Sequence, residues 1–183
     1  VGCAVEGRER LAAGILFPKG RVSAFQRHQL CCWAPPVQAF EVDGDFDACQ
    51  ALVKTAFRNP DASARFGLTS ANSINIARLL PQAAFLAHGA QAALDETGEI
   101  PGLIIPTGNL GHGFAAVLTR AMGAPIGPVV LATNANAALS RWAQTGRYEP
   151  LASVATIANA MDVGAPSNME RLLDFTESGR AGT

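Results

Sequence analysis

The chain has 183 residues, of which 49% are hydrophobic and 16% charged, and this composition predicts a globular protein with a sizeable core. Its formal net charge of −1 supplies no basic field for a nucleic acid, and no apolar stretch approaches the length that spans a membrane. We therefore expect partners that are small molecules or other protein chains, with no nucleic acid and no membrane among them.

The chain opens on VGCAVEGRERL, which has a helix-like composition but no initiator methionine, no capping signal and no preceding strand. This pattern predicts a helix that is cut partway along. Short apolar runs bounded by Gly, Pro or Asp then predict strands at residues 14–17, 37–42, 102–105 and 128–133. Because longer segments of helical period lie between these runs, the alternation predicts an α/β fold with a largely parallel sheet.

The helical period predicts three helices, at residues 45–57, 114–123 and 136–146. The first opens on Asp45 or Asp47 as its N-cap. The other two close on Gly123 and Gly146, which suit the left-handed conformation that commonly ends a helix. The tail, residues 177–183, is expected to fray.

The cysteines and histidines are scattered along the chain and form no paired CxxC spacing, which argues against a metal site. Without a secretory segment in the sequence, the thiols are expected to be buried or reduced, and the cytoplasm is the simplest compartment. The cysteines are Cys3, Cys31, Cys32 and Cys49, and the histidines are His28, His88 and His112.

The glycine-rich turn from Thr107 to Gly113 joins a predicted strand to a predicted helix. In doubly wound sheets such junctions bind anions, because the helix N-terminus offers unpaired N–H groups and a positive dipole. Glycines allow the backbone to approach a phosphate, and Thr107 and Asn109 add polar side chains. A tight turn without a ligand explains the same glycines, so the turn alone leaves both interpretations open.

A dinucleotide site is the rival interpretation, since Gly111, Gly113 and Ala116 match the pattern GxGxxA. That site needs an acidic residue about 20 positions further on for the ribose hydroxyls. No Asp or Glu occurs from Pro101 to Tyr148, and no Walker-type Gly-Lys-Ser/Thr follows the turn. Both kinds of nucleotide site are therefore disfavoured.

A second polar cluster lies in TSANSINIARLLPQ, residues 69–82. Its hydroxyl, amide and guanidinium groups, with no acid among them, are typical of an anion receptor. Asn75 and Arg78 share a face if the segment is helical, and Pro81 is expected to kink or end that helix. The plainer alternative is that Asn72 or Ser73 caps a helix and that Arg78 is a surface charge.

These motifs together resemble the threonine synthase family from about Gly14 to Leu173. They are VDGDFDACQALVK, SANSIN, RLLPQ, PTGNLG, ATN, TGRYEP and NAMDVGAPSNMERLL, in this order. The family consists of fold-type II, pyridoxal-phosphate-dependent lyases that convert O-phosphohomoserine and water into threonine and phosphate. The resemblance implies the three-layer, doubly wound α/β fold of the tryptophan synthase beta-like class, incomplete at the N-terminus. It implies two domains, residues 1–64 from the smaller domain and 65–183 from the larger, cofactor-binding domain.

The resemblance assigns a different phosphate to each polar segment. The phosphate of pyridoxal 5'-phosphate would be held by Thr107, Gly108, Asn109, Leu110 and Gly111, with Asn159 near the pyridine nitrogen. The phosphate of O-phosphohomoserine would be held by Asn72, Ser73 and Arg78. Family members commonly carry Phe and Asp in place of Leu110 and His112, and acids in place of Ala135 and Ala137, so this chain has less negative charge around the loop.

The lysine that carries the cofactor in this family is missing. The lysines present are Lys19 and Lys54, and neither lies in the family's FKD context. The SGDTG turn that receives the substrate carboxylate is also absent. The chain is therefore expected to be a C-terminal fragment, inactive alone, whose partner is the missing N-terminal part of the same enzyme. Alternatives are a non-catalytic remnant or anion-binding module, and a related pyridoxal-phosphate-dependent phospholyase.

Overall fold

The computed structural model describes residues 1–177 of the chain. They divide into two compact units: unit 1 comprises Val1–Thr69 and Ala155–Asp162, and unit 2 comprises Ser70–Val154 and the chain from Val163 on. Within the described residues each unit holds a two-stranded parallel sheet. The parallel strand pairing predicted from the sequence is thus confirmed, while all but the first residue of the tail predicted to fray lies outside the described residues.

Unit 1 is built around the parallel pair β1 and β2, which are in register from Ala13 opposite Val37 onward. A cis peptide bond joins Pro35 to Pro36 just before β2. The elements of unit 1 are α1 (Gly2–Val5), β1 (Ala13–Pro18), α2 (Ala24–Cys31), β2 (Val37–Val42), α3 (Phe46–Arg58), α4 (Pro60–Phe66) and the short 3-10 helix Asn159–Met161.

Side-chain caps set the bounds of the helices in unit 1. The Asp45 carboxylate accepts a hydrogen bond of 2.9 Å from the backbone N–H of Ala48 and caps α3, so Asp45 and not Asp47 is the N-cap. Asn59 follows α3 and caps α4 in the same way, and Gly67 ends α4 at a φ of 57°. These polar groups satisfy N–H donors that the first turn of a helix leaves unpaired.

Unit 2 has its core between α5, α6, α8 and the sheet of β3 and β4, which pair in parallel from Leu103 opposite Val129. Its elements are the 3-10 helix Ile76–Arg78, α5 (Leu79–Thr97), β3 (Leu103–Pro106), α6 (Gly111–Ala121), β4 (Val129–Ala132), α7 (Ala138–Thr145) and α8 (Met169–Glu177). The largest side chains of this core are Leu79, Leu86, Ile105, Leu110, Phe114, Ile126, Leu139, Met169, Leu172 and Phe175.

The segment around Pro81 folds differently from the prediction. Pro81 does not end a helix but lies in the first turn of α5. The backbone N–H groups of a first turn have no acceptor within the helix, so the missing N–H of proline costs no hydrogen bond there. Asn75 caps the short 3-10 helix by accepting from the N–H of Ala77 at 3.0 Å. The expectation that Pro81 ends the helix is therefore wrong, while the kink expected as the alternative stays a prediction.

The other predicted elements are found within a few residues of their expected bounds. The third predicted helix ends on Gly146, at a φ of 69°. The second starts at Gly111 and not at Phe114, since two glycines of the turn belong to α6, and Gly123 follows its end at a φ of 98°. Among residues 1–177, no helix has both the length and the apolar character needed to cross a membrane.

The four cysteines form no disulfide among residues 1–177, and only one of them is buried. Burial, reinforced by the nearby Asp45 carboxylate, raises the pKa of the Cys49 thiol, so this group stays protonated and unreactive. Cys3, Cys31 and Cys32 are exposed.

Candidate functional site

The glycine turn leaves the sheet of unit 2 at the carboxyl end of β3. Thr107 continues the pairing beyond β3, since its N–H donates to Ala132 O at 2.8 Å. Leu110 then adopts the left-handed conformation, at a φ of 62°, and is the N-cap of α6. That conformation costs a leucine about 1–2 kcal/mol. Burial of its side chain, worth about 1.5–3 kcal/mol, offsets the cost and fixes the turn.

The N-terminus of α6 has no side-chain cap. The hydrocarbon side chain of Leu110 cannot cap it, so the first N–H groups of α6 have no side-chain acceptor at the N-cap. The Thr107 hydroxyl donates to Ile105 O at 2.9 Å, and Asn109 Oδ1 accepts from Ser167. The backbone N–H groups and the helix dipole are therefore the main attraction that this turn offers a phosphate.

His112 follows the first residue of α6, and burial lowers the pKa of its imidazole below the ordinary value. Its ring meets Phe85 edge-on, with the ring centroids 5.3 Å apart. The buried Nε2 atom has no hydrogen-bond partner among the described residues. His112 is thus held neutral at pH 7 and adds an apolar edge beside the turn instead of a charge.

The segment from Asn72 to Arg78 is a compact loop held by its own polar side chains. Asn72 Oδ1 accepts from the backbone N–H and the hydroxyl of Ser73, and Asn75 Nδ2 donates to Ser70 O at 2.8 Å. The exposed Arg78 donates from Nη1 to Ala71 O at 2.8 Å. That bond uses one of several N–H donors and holds the guanidinium against its loop.

The structure brings the two predicted phosphate segments side by side. A Cβ atom placed on Gly111 would lie 3.0 Å from Ser73 Cβ, 3.4 Å from Asn168 Nδ2 and 3.7 Å from Leu79 Cδ2. Glycine is the residue that allows so close an approach. The start of α6 thus packs directly against the Ser73 loop, and the sequence has no acidic residue from Pro101 to Tyr148.

The structure also identifies residues whose role the sequence did not reveal. Asn168 donates from Nδ2 to Asn109 O at 2.9 Å, and Arg171 donates to the carbonyl oxygens of Ser73 and Ile74 at 2.8 and 2.6 Å. Both belong to the motif PSNMERLL, which contributed to the resemblance without any role assigned to it. Their three-residue spacing places them near each other at the start of α8, but sequence gives no sign of the loops that they contact.

Asn159 belongs to a different unit from the site residues described so far. It begins the 3-10 helix Asn159–Met161 in unit 1, whereas the turn belongs to unit 2. Its loop is closed by Asp162, whose carboxylate accepts from the N–H of Thr156 at 2.8 Å and from the hydroxyl at 2.7 Å. The role predicted for Asn159 at the pyridine nitrogen stays a prediction.

The fold defines an α/β protein whose candidate anion-binding segments meet at the start of a helix. No protein-family profile matches the chain. Threonine synthase from Haemophilus influenzae is 38% identical over 172 residues, which are 94% of this chain and 40% of that protein. The crystal structure of threonine synthase from Escherichia coli superposes with a TM-score of 0.89 at 37% identity, covering 97% of this chain and 42% of that one.

A pyridoxal-phosphate-bound threonine synthase from Brucella melitensis has a TM-score of 0.77 at 38% identity, over 98% of this chain and 39% of that one. The chain is therefore homologous to part of the threonine synthases and has their α/β fold, as the sequence motifs predicted. It spans about 40% of the length of the curated relatives that it matches.

Proposed function

We propose that this chain is the part of a threonine synthase that holds two phosphates, one on pyridoxal 5'-phosphate and one on O-phosphohomoserine. The whole enzyme, a carbon–oxygen lyase, would convert O-phosphohomoserine and water into threonine and phosphate. The observation that carries the proposal is the closeness of Gly111 and Ser73, since two anion sites that serve one reaction must lie near each other. The predicted division after residue 64 is part of this proposal, and the cytoplasm remains the expected compartment.

The turn and the start of α6 would hold the cofactor phosphate through backbone N–H groups. Their helix N-terminus has no side-chain cap, and no acidic residue occurs from Pro101 to Tyr148, which suits a dianion. When bound, pyridoxal phosphate supplies an electron sink for proton removal from the substrate. The residues proposed to hold the cofactor phosphate are Thr107, Gly108, Asn109, Leu110 and Gly111. Asn159 is proposed to lie near the pyridine nitrogen of the cofactor.

Asn72, Ser73 and Arg78 would hold the phosphate of the substrate. A departing phosphate gains negative charge, so donors that are already oriented stabilise the transition state more than the bound substrate. Arg78 suits this role because its exposed guanidinium is oriented by the bond to Ala71 O and can offer a planar fork to the anion.

The lysine needed for the chemistry would come from polypeptide outside this chain. Lys54 is an exposed residue of α3, and Lys19 is exposed and 3.6 Å from Asp43. Neither lies in the FKD context that carries the cofactor lysine in the family. Alone, the chain is therefore expected to be inactive and to form no covalent bond with pyridoxal phosphate.

The exposed face of the β3–β4 sheet is a further reason to propose a partner that completes the fold. Ile104 and Val130 are register partners on β3 and β4, and they are 77% and 53% exposed. Parallel sheets normally have both faces covered, because they are built from apolar strands. The rest of the same enzyme is the partner proposed for this face.

Binding and complementation test the proposal. Phosphorus NMR titration should detect pyridoxal phosphate on the isolated chain, and Arg78→Met should weaken binding of O-phosphohomoserine while the exposed control Arg141→Met does not. Mixing the chain with the part of Escherichia coli threonine synthase that it does not match should restore release of phosphate from O-phosphohomoserine.

Different outcomes separate the alternatives. Binding of both anions without activity in any completed enzyme would favour an anion-binding module. Activity on another phosphorylated amine but not on O-phosphohomoserine would favour a related phospholyase. A lysine-linked cofactor in the isolated chain, found by mass spectrometry after borohydride reduction, would refute the assignment of the lysine to missing polypeptide.

A further inference from the structure

Arg171 connects α8 to the Ser73 loop through a forked pair of hydrogen bonds. Its Nη1 atom donates to Ser73 O at 2.8 Å and its Nη2 atom to Ile74 O at 2.6 Å. The two acceptors are consecutive backbone carbonyls, so the rigid guanidinium fixes the orientation of the loop as well as its distance. A lysine ammonium lacks this planar fork.

Asn168 connects the same arginine to the glycine turn. Its side chain is 0% exposed; Oδ1 accepts from Arg171, while Nδ2 donates to Asn109 O at 2.9 Å. A side-chain amide can serve as acceptor at one end and donor at the other. Ser167 reinforces the link, since its N–H and hydroxyl both lie 3.3 Å from Asn109 Oδ1.

The charge of Arg171 gives a second reason to connect this pair with anions. The guanidinium is partly buried, and it forms no salt bridge with a carboxylate of residues 1–177. Carbonyl and amide oxygens satisfy its donors without cancelling its charge. A partly buried cation without a carboxylate partner is costly, and a nearby anion lowers that cost.

We propose that Asn168 and Arg171 are positioning residues that hold the Ser73 loop and the Thr107–Gly111 turn at one fixed spacing. This inference rests on the proposed function, because the two segments are the proposed phosphate sites. It goes further by assigning to α8 the task of setting the distance between the two phosphates. Neither residue needs to touch a ligand for this task.

Hydrogen–deuterium exchange on the ligand-free chain tests the link itself. Arg171→Met should speed exchange about 10-fold or more in peptides covering both residues 72–78 and 107–111, because it removes the forked pair of hydrogen bonds from a charged donor. Exchange in the C-terminal half of α5 should stay unchanged, and Arg171→Lys should restore part of the protection. The matched control Arg141→Met should change neither peptide.

Asn168→Asp separates the two arms of the link without changing side-chain size. The carboxylate still accepts from Arg171 but cannot donate to Asn109 O, which keeps only the longer bond of 3.3 Å from the backbone N–H of residue 168. Residues 107–111 should therefore exchange faster while residues 72–78 stay protected. Equal acceleration over the whole of unit 2 would show a merely structural role and overturn the proposal. An effect of Arg171→Met on residues 72–78 alone would overturn it as well.

Ligand binding provides the functional readout. Titration of the chain with pyridoxal phosphate and with inorganic phosphate should show about 10-fold weaker binding of both to the Arg171→Met variant. Unchanged affinities would contradict the positioning role. If the unmodified chain binds neither anion, the proposed function fails, and the exchange pattern of the ligand-free variants still decides whether α8 links the two segments.

Discussion

Because Gly111 lies close to the Ser73 loop, we expect the Gly111→Ala substitution, which adds one methyl group, to destabilise the fold. Gly111 has no positive φ, so alanine suits its backbone and gains about 0.5–1 kcal/mol of helix propensity. The new Cβ, however, would lie 3.0 Å from Ser73 Cβ, whereas carbon atoms in contact prefer about 3.5–4.0 Å. Ser73 must therefore retreat by a few tenths of an ångström.

Such overpacking costs about 1–3 kcal/mol, which exceeds the helix gain. The net loss of up to about 2.5 kcal/mol should lower the Tm of Gly111→Ala by up to about 10 °C in a protein of this size. Pyridoxal phosphate should also bind more weakly, since the displaced loop changes the surface beside α6.

Calorimetry with a matched control checks this expectation. Gly89→Ala adds the same methyl group inside α5, where no atom lies within 4 Å of the new Cβ, and should leave the Tm unchanged or raise it slightly. A Gly111→Ala variant as stable as the Gly89→Ala variant would refute the close approach of the two segments.

Two further predictions concern stability elsewhere in unit 2 and its dependence on pH. A Cβ on Gly164 would lie 1.8 Å from Leu151 O, so Gly164→Ala should cost about 3 kcal/mol or more in urea denaturation, and a loss below 1 kcal/mol would contradict that geometry. The pKa of His112 is lowered in the folded state, so the unfolded chain binds the proton more readily and stability falls as the pH drops through about 6.5. The His112→Phe variant keeps an aromatic ring against Phe85 but cannot bind the proton. Its Tm should therefore fall less between pH 7.5 and pH 5.5 than the Tm of the unmodified chain. An equal fall in both proteins would argue against the buried neutral imidazole.

The sequence predicted correctly the ends of those helices that are set by a single capping residue. Gly146 ends α7 in the left-handed conformation, and Asp45 caps α3, because these effects act within one helical turn. The alternation of apolar runs likewise indicated parallel strands. Pro81 misled the prediction, because the same residue breaks a helix interior and is tolerated in a first turn, and only the start of α5 decides between the two.

The sequence by itself also determined which segments carry anion donors, since residue types and the absence of acid from Pro101 to Tyr148 are properties of the chain. It left open whether those segments meet. Tertiary structure decided that Gly111 faces Ser73, and that Asn168 and Arg171 connect both loops to α8. These contacts join residues that are more than 30 positions apart, and such pairings depend on how the helices pack on the sheet and not on any local pattern.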